Sequence, residues 1–257
     1  MKNYIFLQAR LNSVRFPSKI LKKICNMSVL EFLFERLKSV EHIDKIILVT
    51  GTEKENLELI EEAKRLKIEY FCGNQENILD RMYNATKKFN PENIIRITGD
   101  CPLIDPNLIN KGFEEFSKKQ VDVLSNARIR TFPDGFDFEI IKVNSLKKAW
   151  KDTYEKFEDK NKFYSSFISP TKYLLENEQF SNIDFTNEIN LSKIRLTLDY
   201  EEDFDVISKI SKHLYSKKMD FGLSDILDYL EKNPEILQIN KKFIKLDYGI
   251  KINKNHI

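Results

Sequence analysis

Ile5-Phe6-Leu7-Gln8-Ala9-Arg10 runs directly into Leu11-Asn12-Ser13-Val14-Arg15-Phe16-Pro17-Ser18-Lys19 near the front of the chain. A short apolar run ending in turn formers reads as an interior strand of a parallel sheet, buried on both faces. Three permanent cations, Arg10, Arg15 and Lys19, then fall within one loop. Ligands of open α/β sheets bind where loops leave the carboxyl ends of strands. Arg offers phosphate oxygens a planar fork and Lys a point charge, so the loop suits a polyphosphate. From spacing alone, a solvated basic loop is an equal reading.

Working outward, period-2 and continuous apolar runs predict strands at 45–50, 69–72, 93–98, 121–125, 138–142 and 194–198. Helical periodicity predicts helices over 28–39, 54–66, 77–89, 106–118, 145–154, 163–175 and 202–215. Ser28-x-x-Glu31 has the form of a capping box, Pro106 suits a first turn, and Ser224 is placed to cap a last helix that Asn233-Pro234 ends. Alternating strands and helices imply βαβ units around a mostly parallel Rossmann-like sheet. The broken alternation of the second half predicts an antiparallel element there. The α/β chain reads as one domain, 1–257, with a loosely ordered basic tail over 238–257.

Composition narrows the partners. With 42 basic and 40 acidic residues the net charge is +2, which offers no case for nucleic acid or a membrane surface. Cys25, Cys72 and Cys101 are few, odd in number and without metal-site spacing, as expected of reduced thiols in a cytoplasmic protein. No run approaches the roughly 18 apolar residues of a membrane span, and the N-terminus shows no leader cleavage pattern. His42, His213 and His256 are scattered and match no catalytic pattern.

Two aspartates fall just past predicted strands: Asp100 after Thr98-Gly99, and Asp199 after Ile194–Leu198. A carboxylate there can hold a cation between phosphates, since Mg²⁺ usually takes one or two carboxylates plus substrate oxygens. Strand-end Asp residues also cap helices and form turns. Asp137 and Glu139 repeat at the strand period and so share a face, to bind metal, accept sugar hydroxyls or meet water.

Ala9-Arg10-x-x-Ser13-x-Arg15-x-Pro17-x-Lys19 resembles the A-R-x-x-S-x-R-x-P-x-K signature of cytidylyltransferases that activate acidic sugars, the acylneuraminate and 3-deoxy-manno-octulosonate enzymes. The likeness is strongest to the spore coat polysaccharide biosynthesis protein F branch. It continues through Asn74–Arg81, Arg96–Asp105, Pro133–Glu139 and Arg195–Phe204, about the first 205 residues. The resemblance implies a GT-A-like nucleotidyltransferase fold, a homodimer, and transfer from CTP to an acidic sugar. It implies Mg²⁺ on Asp100 and Asp199, and phosphates on Arg10, Arg15 and Lys19. Gln8, Ala9, Ser13, Gly73, Asn74, Asp80, Arg81, Thr98 and Gly99 would complete the nucleotide pocket, and Asp137 and Glu139 would serve the acceptor.

The chain departs from that pattern. Asn12, Val14, Phe16 and Ser18 replace the branch's usual Gly, Thr, Leu and Gly, and Lys160-Asn161-Lys162-Phe163 replaces Arg-Glu-His-Val. Two other functions stay in view: a GT-A glycosyltransferase, for which Asp203-Phe204-Asp205 is the nearest Asp-x-Asp, and a non-catalytic nucleotide-binding protein.

Overall fold

A computed structural model describes residues 2–216 and 220–244. The strands are β1 (Asn3–Gln8), β2 (Lys23–Ile24), β3 (Met27–Ser28), β4 (Lys45–Thr50), β5 (Glu69–Cys72), β6 (Asn93–Thr98), β7 (Val123–Ser125), β8 (Phe138–Lys142) and β9 (Asn182–Asp184). The α-helices are α1 (Val29–Leu37), α2 (Leu57–Arg65), α3 (Ile78–Phe89), α4 (Pro106–Lys119), α5 (Val143–Lys156), α6 (Lys160–Ser165), α7 (Lys172–Glu176), α8 (Glu201–Tyr215) and α9 (Leu223–Lys232).

Seven strands form one sheet in the order β5-β4-β1-β6-β8-β7-β9, and β2 and β3 form a separate hairpin. Only β8 runs against the rest, pairing antiparallel with β6 and β7. This is the predicted antiparallel element. From β1 the chain steps outward to β4 and β5, then returns to β6 on β1's other side. The crevice between the carboxyl ends of β1 and β6 is therefore the topological switch point, where ligands of such sheets bind.

Alternation along β1 explains the layering. Ile5 and Leu7 join α1, α4, α8 and α9 in one apolar cluster. Tyr4 and Phe6 face the other way, with α3 and α5. Both faces of the central strands are covered, which is why they read as apolar runs.

Several boundaries differ from expectation. The predicted strand 194–198 is an irregular segment with a single bridge, Asp134 to Arg195. Its amides are shared between two loops: Leu196 N–H donates to the Asp134 carbonyl at 2.7 Å and Leu198 N–H to the Asp100 carbonyl at 2.8 Å. The predicted helix 163–175 is split into α6 and α7 with Pro170 between them, because Pro lacks an amide donor and crowds the preceding turn. Gly222, not Ser224, precedes α9, and its N–H donates to Asp225 at 2.8 Å. Only half of the Ser28–Glu31 box forms. Ser28 Oγ accepts from Glu31 N–H, while the Glu31 carboxylate pairs with Arg65. Within the segment expected as a loose tail, Asn240 and Phe243 are buried. Residues 245–257, His256 among them, lie outside the described residues.

Asp122 stitches β7 to its surroundings, accepting from Ser145 Oγ at 2.6 Å and from Ser181 N–H and Oγ at 2.9 and 2.8 Å. Burial raises its pKa, but these donors and Lys142 outweigh that and hold the carboxyl below its ordinary 3.8. A depressed carboxyl contributes stability that is complete above 3.8 and lost as pH falls through the folded value. The stability gap between wild type and Asp122→Asn should therefore narrow on acidification from pH 5 to pH 2, read by urea titration. A gap that is constant with pH would refute this.

Candidate functional site at the sheet's switch point

The loop after β1 is ordered by its own sequence. Leu11 N–H donates to buried Asn56 at 3.0 Å, and Ser13 and Ser18 amides return to the Leu11 carbonyl. Phe16 enters the core edge-on to Phe204, with ring centroids 6.0 Å apart. Ser18 sits at φ 53°, the left-handed region that favours glycine, at a position where the resembled branch carries Gly. Gly99 closes the crevice from β6. Its N–H donates to the Gln8 carbonyl at 2.8 Å, and a Cβ there would stand only 3.0 Å from that of Ala9.

A cleft of about 460 Å³ opens at this edge, lined among others by Gln8, Ala9, Arg10, Ser13, Arg15, Lys19, Arg81, Thr98, Gly99, Asp100 and Asp199. Arg96 also lines it, so five cations face two carboxylates there. Larger hollows of about 710 and 800 Å³ elsewhere are lined by fewer cations, three and two.

The aspartates meet through backbone. The 194–198 segment hydrogen-bonds to the Asp100 carbonyl through Leu198 N–H and Thr197 Oγ1, which brings Asp199 beside Asp100. Lys19 Nζ lies between them, 2.8 Å from Asp199 and 3.9 Å from Asp100, and also donates to the Leu198 carbonyl. Asp199 is further approached by Arg15 at 2.8 Å and Arg195 at 3.7 Å. Burial pushes its carboxyl up, but Lys19, Arg15 and Arg195 prevail and hold it below the ordinary carboxylate range. Asp100 is more open, hydrogen-bonded to Thr98 Oγ1.

Arg81 is buried on α3 and donates to the Asn74 and Gln75 carbonyls at 2.8 and 3.2 Å. Burial, then Arg10 and Arg96, lower its pKa to about 10. A bound anion would relieve this crowding of like charge.

The remaining expected residues lie outside the cleft lining. Gly73 and Asn74 back Arg81 from behind. Asp80 turns to α5 and accepts from Trp150 Nε1 at 2.9 Å. Asp137 forms a two-pronged pair with Arg130, and Glu139 pairs with Arg96 and accepts from Thr171. Asp203 is fully buried against Arg195, so Asp203-Phe204-Asp205 offers no metal position at the cleft.

Five lining residues, Val14, Ile20, Ile78, Arg96 and Phe167, were not among those expected from the sequence. Arg96 was legible, as a charge inside an otherwise apolar strand, and it donates to Gln8 Oε1 at 2.9 Å. Phe167, 69% exposed in the loop between α6 and α7, carried no signal.

Fold and cleft together define an α/β protein with a cation-lined cleft at the switch point of its sheet. A family model described as Cytidylyltransferase matches residues 4–235. The chain is 34% identical over 251 residues to an uncharacterised protein of Methanocaldococcus jannaschii, covering 96% of this chain and 98% of that one. It is 27% identical over 243 residues to the spore coat polysaccharide biosynthesis protein SpsF of Bacillus subtilis, covering 91% and 97%. The solved structure of a cytidylyltransferase from Leptospira borgpetersenii serovar Hardjo-bovis is similar with a TM-score of 0.82 at 31% identity, covering 93% of this chain and 97% of that one. This chain belongs to the cytidylyltransferase family. No helix among the described residues is long and apolar enough to cross a membrane.

Proposed function

We propose that this cytidylyltransferase joins CMP from CTP to a small acidic sugar used in a surface polysaccharide, releasing pyrophosphate, with Mg²⁺ as cofactor. The observation that carries the proposal is the convergence of Arg10, Arg15, Lys19, Arg81 and Arg96 with Asp100 and Asp199 in one cleft. Among the described residues no three acidic, His or Cys side chains cluster as a complete metal cage. Two carboxylates beside a phosphate site nonetheless suit Mg²⁺, which takes its other ligands from water and substrate. Bound there, the ion would neutralise charge on the α-phosphate.

The chain's residues do the rest by placement and charge. Arg15 and Lys19 turn from Asp199 to the β- and γ-phosphates, freeing that carboxylate for the ion. The acceptor hydroxyl oxygen attacks the α-phosphorus in line, its proton passing to solvent. The bond to the β-phosphate breaks, and the cations stabilise the leaving pyrophosphate. No covalent enzyme intermediate is needed. Glu139 acts on the acceptor side indirectly, by holding Arg96 in the cleft.

Thermal unfolding with Mg²⁺ and each nucleoside triphosphate tests the reading. At 100 times its dissociation constant, CTP should stabilise by about 2.7 kcal/mol, a clear upward shift in Tm. Pyrophosphate release on adding acidic sugars then identifies the acceptor. A shift with UDP- or GDP-sugars and none with CTP would favour a glycosyltransferase, and CTP binding without release would favour a non-catalytic protein.

A further inference from the structure

Arg15 is held from the far end of the chain. Its guanidinium carbon lies 5.2 Å from the centre of the Tyr200 ring, while its Nη2 meets Asp199 at 2.8 Å. The Tyr200 ring is itself stacked on Phe243, with centroids 3.8 Å apart and planes 2° from parallel. Asn240 and Phe243 lie past residue 235, where the family match ends.

The segment bearing Phe243 is tied to the stretch that carries Tyr200. Asn240 Nδ2 donates to the Arg195 carbonyl at 3.1 Å and to Asp203 Oδ1 at 2.9 Å. Phe243 N–H returns to the Asn240 carbonyl at 3.0 Å, closing the turn, and Lys242 pairs with Glu202 at 2.6 Å. The Tyr200 N–H is fixed to Asp203 Oδ2 at 3.0 Å. These bonds fix the backbone on either side of the two stacked rings.

We propose that Asn240–Phe243 is a brace that positions Arg15 for phosphate through the stacked rings of Phe243 and Tyr200. Arg15 is on an exposed loop, and its long side chain has many rotamers to lose on gripping a ligand. A carboxylate such as Asp199 restrains it but competes with phosphate for its charge. An aromatic face restrains the guanidinium without neutralising it, so the hold persists when phosphate arrives. Tyr200 and Phe243 are thus positioning residues for nucleotide binding. The inference rests on the nucleotide reading of the cleft given above.

The test is a double-mutant cycle read by calorimetric titration of CTP with Mg²⁺. Phe243→Ala should weaken CTP binding roughly five- to tenfold, the scale of a lost cation–π restraint. Arg15→Ala should weaken it at least as much, and the double variant no further than Arg15→Ala alone. Phe243→Tyr, which keeps the stack, should bind as wild type does. A merely structural Phe243 would give losses that add in the double variant, and that result, or wild-type affinity in Phe243→Ala, overturns the brace. If Phe243→Ala does not fold, Tyr200→Leu reads the same coupling with Arg15 from the other ring. Failure of the wild-type chain to bind CTP would instead overturn the proposed function. The Arg15–Phe243 coupling is then read with inorganic pyrophosphate, and additivity there overturns the brace.

Discussion

Asp100→Asn is expected to lower turnover with CTP and Mg²⁺ by roughly 10³-fold, the upper range for removing one preorganised electrostatic contact. Asn keeps the size of the side chain and can still meet Thr98 Oγ1, the contact Asp100 makes now. What it loses is the negative charge, and with it the hold on a divalent cation. The side chain is 33% exposed and its contact with Lys19 is long at 3.9 Å, so the fold should be unaffected. Unchanged melting beside lost pyrophosphate release is the expected pair of results. An Asp100→Asn enzyme with undiminished Mg²⁺-dependent turnover would remove Asp100 from the mechanism and the metal assignment with it.

Asp203→Ala is expected to be the most destabilising single change at the cleft's support. Asp203 is fully buried, and its oxygens accept from Arg195 Nε and Nη2 at 2.8 Å each, from the Asp199 and Tyr200 amides at 3.0 Å, and from Asn240. Arg195 is itself only 2% exposed. Its contacts with Asp134 at 3.3 Å and Asp199 at 3.7 Å are longer than this two-pronged pair. Removing one side of a buried ion pair costs about 3–5 kcal/mol, because the remaining charge is left in a poor solvent. In a chain of this size that corresponds to a fall in Tm of about 10 °C. Asp205→Ala, two residues on and facing solvent, should stay within about 0.5 kcal/mol of wild type. Equal melting of the two variants would show that the Arg195 cluster does not hold this region.

That contrast also shows where sequence reading stops. Asp203 and Asp205 are the same residue type in one short pattern, and only the turn of α8 sends one to Arg195 and the other to water. Asp80 is a similar case. It sits beside Arg81 in sequence, yet the helix places Arg81 at the cleft and turns Asp80 to Trp150 of α5.

What the sequence determined by itself is the sheet and its binding edge. Apolar runs at β1, β4 and β6, each followed by turn formers, report strands buried on both faces, a local property of composition. The cations of the first loop and Gly99-Asp100 lie a few residues past those strands, so their place at the carboxyl edge follows from chain order. What only the tertiary structure decided is how distant pieces meet. Asp199 reaches Asp100 because the 194–198 segment shares its amides between two loops, and Arg15 meets Phe243 through Tyr200. Such contacts join residues 43 to 185 positions apart, and no local periodicity carries information about them. They are set by packing and by the need of buried charges and amides for partners, which exists only once the chain has folded.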